Sequence, residues 1–183
     1  MTAHTHRRDN WPAAARAAGQ LFYSAMHRLG RGTEEDDVRG RVLLVSADPI
    51  LAAEVERAFE GSEQEVFVAR DELEAILFLD RELCDAVLLE VEKPGAEGFA
   101  FCGVVRRSWD VAITLLLRPA AQRDVVLGYQ MGADTYLNLP FEGRELLARV
   151  GALVRQVQLA RSREASRARA TMPSAWRLAG NKS

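Results

Sequence analysis

The sequence predicts an α/β fold, a parallel sheet covered by helices on both faces, and three observations carry that prediction. From Arg41 onward, short apolar runs alternate five times with helical patterns, the signature of consecutive βα units. The runs at 41–45, 85–90 and 111–117 are apolar almost throughout, as strands buried on both faces must be. The central run, Ala86-Val-Leu-Leu89, ends on a lone carboxylate, Glu90, followed by Lys93-Pro94-Gly95 and Gly98. Open α/β folds place their ligands at such a point, outside the carboxyl end of a buried strand.

The elements follow in order. Arg41 to Val45 is the first strand, and Ser46-Ala47-Asp48-Pro49 the turn in which Asp48 caps a helix running to Phe59. Glu65 to Ala69 is the second strand. Asp71 caps a second helix whose Leu73, Ile76, Leu77 and Leu79 are expected to form an inward stripe. Asp85 to Glu90 is the third strand and Phe99 to Trp109 the third helix. Val111 to Leu117 is the fourth strand, and Pro119 opens a fourth helix to Met131. Asp134 to Leu139 is the fifth strand, and from Glu142 a fifth helix continues past Gln158, favoured by its Ala/Leu/Arg/Gln composition. Five such units fit a flavodoxin-like, doubly wound (βα)5 sheet in order 2-1-3-4-5. Leu43, Val45, Val87, Leu89, Leu115 and Leu117 are expected to be buried.

Around this body, residues 1–40 read as an appendage: Trp11-Pro12 opens an alanine-rich amphipathic helix with Leu21, Phe22, Met26 and Leu29 on one side, then an acidic linker, Glu34 to Asp37. The domain bounds expected are 1–40, 41–156 for the body, and 157–183 for a basic tail. His4 and His6 have the composition of a disordered terminus rather than a metal site. The formal net charge is -2, but it is segregated. The body is acidic and the residues after it basic. No apolar run approaches the roughly 20 residues that span a bilayer, and the first residues lack a secretory core. The two cysteines, Cys84 and Cys102, have no metal-ligand spacing. Together these imply a cytoplasmic protein with reduced thiols, no cofactor and no bound metal.

Residues 85–99 resemble the phospho-acceptor segment of response-regulator receiver domains, Asp-x-Val-Leu-Leu-Asp-x-x-x-Pro-Gly-x-x-Gly-Phe, with Glu90 at the acceptor aspartate. Gly132-Ala-Asp-Thr-Tyr136-Leu, Pro140-Phe141 and Glu145-Leu-Leu-Ala-Arg149-Val extend the resemblance to the OmpR/PhoB-type subfamily. The resemblance implies phosphorelay signalling, a Leu139-Pro140 bond in cis, and Mg²⁺ held by an acidic pair after the first strand together with the acceptor. Here that pair is Ser46 and Ala47, with Asp48 one residue on. The hydroxyl that contacts the phosphoryl group becomes Leu117, and the lysine that neutralises it becomes Leu139. The expectation is a degenerate receiver, not an enzyme, with an apolar pocket in place of phosphoryl-transfer chemistry. Glu90 then has two readings, a built-in imitation of phospho-aspartate or a relic carboxylate bonded to loop amides or water; a lone buried carboxylate among leucines is costly unless hydrogen-bonded or neutralised.

The partners implied are proteins of a signalling pathway. Asp134, Glu145 and Arg149 match the ion-pairing positions through which the subfamily dimerises, and Tyr136 its aromatic switch, so a homodimer is one expectation. Glu145 and Arg149 are equally an i,i+4 pair supporting their own helix. Arg161, Arg163, Arg167 and Arg169 read either as a solvated helix end or as a phosphate-contacting surface for nucleic acid or a DNA-bound partner. Ser174 to Leu178 resembles the start of the subfamily's DNA-binding domain, but no helix-turn-helix follows before Ser183.

Overall fold

The computed structural model describes residues 39–92, 95, 98–118 and 122–171, with the backbone alone for 122, 123 and 168–171. The helix expected within 13–29, His4 and His6, the turn at Lys93-Pro94, Pro119, the Arg169 side chain and Ser174 to Leu178 lie outside those residues. Five strands, β1 Gly40–Val45, β2 Gln64–Ala69, β3 Ala86–Val91, β4 Ala112–Leu117 and β5 Thr135–Asn138, alternate with α1 Pro49–Phe59, α2 Glu72–Arg81, α3 Ala100–Ser108, α4 Gln122–Gln130 and α5 Gly143–Thr171. All strand pairs are parallel and the order is β2-β1-β3-β4-β5. This is the flavodoxin-like sheet expected, with a long final helix.

Burial explains the composition of the strands. The three inner strands are buried along nearly their whole length, whereas the edge strands β2 and β5 are mixed. Alternate residues feed two cores. Leu43, Val45, Val87, Leu89, Val91, Leu115 and Leu117 pack with Leu79 of α2 and Phe101, Cys102 and Val105 of α3. Val42, Leu44, Leu88 and Leu116 pack with Leu51, Val55 and Phe59 of α1 and Leu146, Val150 and Val154 of α5. All six residues expected to be buried are so. At Gly128 of α4 a Cβ would lie 2.6 Å from Leu115 Cδ1, so only glycine lets that helix approach the sheet this closely.

One stripe is corrected. Leu73 and Leu77 are 65% and 45% exposed, while Ala75 and Leu79 are buried and Ile76 and Phe78 pack beside them. At about 100° per residue, Leu73 and Leu77 stand roughly 160° around α2 from Ala75, so the helix cannot bury both sets. Phe78 takes the inner position that the leucine spacing suggested for Leu77. Among the described residues no helix is long and apolar enough to cross a membrane.

Candidate functional site

Glu90 stands near the carboxyl end of β3, where the sheet opens to the β–α turns. Asp48 caps α1, its Oδ1 accepting from the Ile50 and Leu51 amides at 2.8 and 3.3 Å. That cap holds the turn after β1 against Glu90. Ser46 Oγ accepts from the Asp48 amide at 3.0 Å and donates to Glu90 Oε2 at 2.5 Å. The second carboxylate oxygen, Oε1, lies 3.4 Å from Nη2 of Arg118, the first residue after β4. The same guanidinium nitrogen lies 3.7 Å from Asp48 Oδ2. Glu90's side chain is 4% exposed and Arg118's 55%, so the arginine sits on the rim over a buried carboxylate.

The apolar pocket expected here is therefore corrected: the corner is a hydrogen-bonded, charge-compensated cluster of Ser46, Asp48, Glu90 and Arg118. Leu117 takes no part in it. By alternation along β4 it joins the core of Leu89 and Val91, on the other side of the sheet. Leu139 packs against the opposite core, and its bond to Pro140 is cis. Ala47 is exposed and offers no side-chain ligand atom. Arg118 is the residue that sequence reasoning missed. Its signal was an arginine directly after the apolar fourth strand, one position past the expected hydroxyl.

These residues do not fit a divalent cation. Mg²⁺ takes hard oxygen ligands, and the two carboxylate oxygens free to supply them both face a guanidinium. Among the described residues no group of three or more His, Cys, Asp or Glu is arranged to hold a metal.

A second carboxylate, Asp85, lies at the opposite end of the same strand. Its Oδ2 accepts from the Arg41 amide at 2.9 Å and from Gln158 Nε2 at 3.3 Å, and its Oδ1 from Arg161 Nη1 at 2.7 Å. Arg161 Nη2 also donates to the carbonyls of Cys84 and Asp110, at 2.8 and 2.6 Å. The two side chains are 9% and 17% exposed. Arg161 is thus corrected from tail to body: it clamps α5 to the amino end of the sheet. Arg163 and Arg167 are exposed.

The expected interface residues separate. Asp134 accepts from the Ile113 amide at 2.7 Å and pairs with Arg106, which also donates to the carbonyl of Gly132. Gly132 has φ +104°, and a Cβ there would lie 2.6 Å from Arg106 Cγ. Asp134 thus secures the entry to β5 within its own chain. Glu145 and Arg149 pair along α5 at 2.7 Å, each close to half exposed. Tyr136, half-buried, meets Tyr129 edge-on at 6.1 Å. Tyr136, Asn138, Pro140, Glu145 and Arg149 border a shallow hollow of about 270 Å³. Both thiols are buried. Burial, then the Asp85 charge, pushes Cys84 up to about 12. Burial pushes Cys102 up to about 11. Neither is a nucleophile at neutral pH.

A five-stranded parallel sheet in this order, with a carboxylate at the carboxyl end of its third strand, is the arrangement of a receiver domain among the flavodoxin-like folds. Residues 42–151 match the response regulator receiver domain family, and the chain belongs to it. It is 36% identical over 121 residues to the DNA-binding response regulator MtrA of Mycolicibacterium smegmatis, covering 66% of this chain and 53% of that one. The chain therefore spans about half the length of that relative. Among solved structures, it is similar to a response regulator from Thermotoga maritima, at 27% identity and TM-score 0.60, covering 63% of this chain and 98% of that one. A putative response regulator from Chloroflexus aurantiacus gives 29% identity and TM-score 0.58, with the same coverage. The protein is a receiver of two-component signalling.

Proposed function

We propose that this receiver works without phosphoryl transfer, as a module that acts by contact with other proteins of a signalling pathway. One observation carries the reading. Glu90, at the acceptor position, is already engaged by the Ser46 hydroxyl and faced by Arg118, and Ser46 and Ala47 replace the acidic pair that would bring Mg²⁺. Phosphoryl transfer needs a nucleophilic carboxylate with its metal beside it. A carboxylate that spends one oxygen on a hydroxyl and turns the other to a guanidinium lacks both. The domain then has no catalytic residue, and residues 41–161 act as its body, in the cytoplasm, without cofactor. Contact with a partner, or with a second copy, uses the side bearing Tyr136, Glu145 and Arg149. Incubation with acetyl phosphate and Mg²⁺ followed by intact mass tests the reading. The expected spectrum is that of the unmodified chain, and a stable phosphoryl adduct overturns it.

A second reading is favoured by exposed Arg155, Arg163 and Arg167 on α5, together with the likeness to a DNA-binding regulator. In it, the basic end of α5 contacts nucleic acid or a DNA-bound partner. Such binding would weaken steeply with added salt. Electrophoretic shifts that appear at low salt and vanish on Arg163→Glu would favour it over protein contact alone.

A further inference from the structure

We propose that the exposed stripe of α2 and the protruding end of α5 are the two halves of one interface, joined between copies of this chain. The contact lies apart from the side bearing Tyr136 and does not depend on the chemistry at Glu90. Leu73 and Leu77 lie one turn apart on α2, 65% and 45% exposed, and neither core includes them. A single exposed leucine is ordinary, but two neighbours on one helix face make an apolar patch. Glu72 adjoins the first and Asp80 stands three residues beyond the second, both exposed. The ground around them is acidic: between Glu54 and Arg81 nine carboxylates are exposed against three arginines. The end of α5 carries the opposite pattern. Leu159, 57% exposed, stands between Arg155 and Arg163, each four residues away and exposed. Arg161 anchors this helix at the amino end of the sheet, and from there it continues to Thr171, roughly 15 Å further. Ser162 to Arg167 are exposed throughout, so the helix end projects from its own body and does not turn back onto its own α2. An apolar residue between arginines fits an apolar pair bordered by carboxylates, whereas two α5 ends would set arginine against arginine. A second copy is therefore the occupant that charge selects. Because the two halves differ, the contact is heterologous and need not stop at two copies.

The test uses the full chain. Both native thiols are buried, so Ser166→Cys places a single nitroxide spin label on the exposed end of α5. Labelled protein is mixed at low salt with an unlabelled copy enriched in ¹⁵N, at concentrations up to the millimolar range. The amide signals of Glu72 to Asp80 in the ¹⁵N copy are expected to broaden, and the broadening to shrink as sodium chloride is added. Leu73→Lys in the ¹⁵N copy is expected to abolish it, as is Leu159→Glu in the labelled copy; both positions are exposed, so neither change disturbs a core. Sedimentation velocity supplies an independent readout. Mixed together, the Leu73→Lys and Leu159→Glu proteins are expected to pair through the one intact half that each retains, and to stop at two copies. A mixture that does not pair overturns the inference. Broadening at Tyr136, Glu145 and Arg149 in place of α2 overturns it too, while supporting contact through that other side. So does a chain that stays monomeric with no signal broadened, which would leave α2 to a cationic partner of another kind. Phosphate taken from acetyl phosphate would overturn the reading of Glu90 and leave this contact standing.

Discussion

The two ends of β3 carry the same pair of side chains, a carboxylate and an arginine, put to different use. At the amino end Asp85 and Arg161 are nearly buried, 2.7 Å apart, and Arg161 satisfies two backbone carbonyls besides. At the carboxyl end Glu90 is buried but Arg118 is mostly exposed, and the separation is 3.4 Å. The first pair fastens one element to another across 76 positions of sequence. The second fastens nothing comparable: it joins the two strand ends that border the site. A charge pair contributes to folding according to how fully it is withdrawn from water and hydrogen-bonded. The contrast therefore separates a buried structural clamp from a half-exposed charge pair at the rim of the candidate site.

Removing one partner of the buried pair should show the largest effect. Asp85→Ala or Arg161→Ala is expected to destabilise by about 3–5 kcal/mol, since each leaves an uncompensated buried charge. The double variant should cost much less than the sum, and urea unfolding measures all three. Additive losses would break the comparison. Leu89→Ala, beside Glu90 but facing the opposite core, should cost about 2–5 kcal/mol by packing alone. If it unfolds like wild type, the strand is misassigned. At the carboxyl end, a double-mutant cycle of Glu90→Gln and Arg118→Met should give a coupling of about 1 kcal/mol or less, as for a pair with one exposed member. A coupling as large as that at the amino end would erase the distinction. The exposed Glu145–Arg149 pair should contribute least, about 0.3–0.5 kcal/mol. Its value would lie in association. Arg149→Glu is expected to weaken self-association or partner capture, and Glu145→Arg made with it to restore part, as read by sedimentation velocity and pull-down.

The fold was legible because the three inner strands are buried on both faces and so leave unbroken apolar runs in the chain. Helix faces were less legible. Four leucines and isoleucines in α2 admit more than one stripe, and the one that packs on the core runs through Ala75 and Leu79 with Ile76 and Phe78 beside them. The place of the site was legible, since the resemblance points by position to Ser46, Ala47, Glu90, Leu117 and Leu139. The partner that Glu90 meets was not, because Arg118 reaches it from the end of the neighbouring strand, 28 residues away in sequence. Arg161 was misassigned for a similar reason. Counted by composition it belongs with the basic tail; counted by length it does not. α5 starts at the carboxyl end of the sheet and runs back along it, and the 18 steps from Gly143 to Arg161 cover about 27 Å. A six-residue strand spans about 20 Å. Arg161 therefore arrives at the amino end, where a buried carboxylate needs a counter-charge.

The central claim is that the corner around Glu90 is already closed by the chain's own side chains. The most direct measurement is the amide ¹H–¹⁵N spectrum of the wild type, recorded before and after addition of Mg²⁺ and beryllofluoride, which together mimic a phosphoryl group on an acceptor carboxylate. The account predicts that the resonances of Ser46, Asp48, Glu90 and Arg118 stay where they are. Saturable shifts confined to those residues would contradict it.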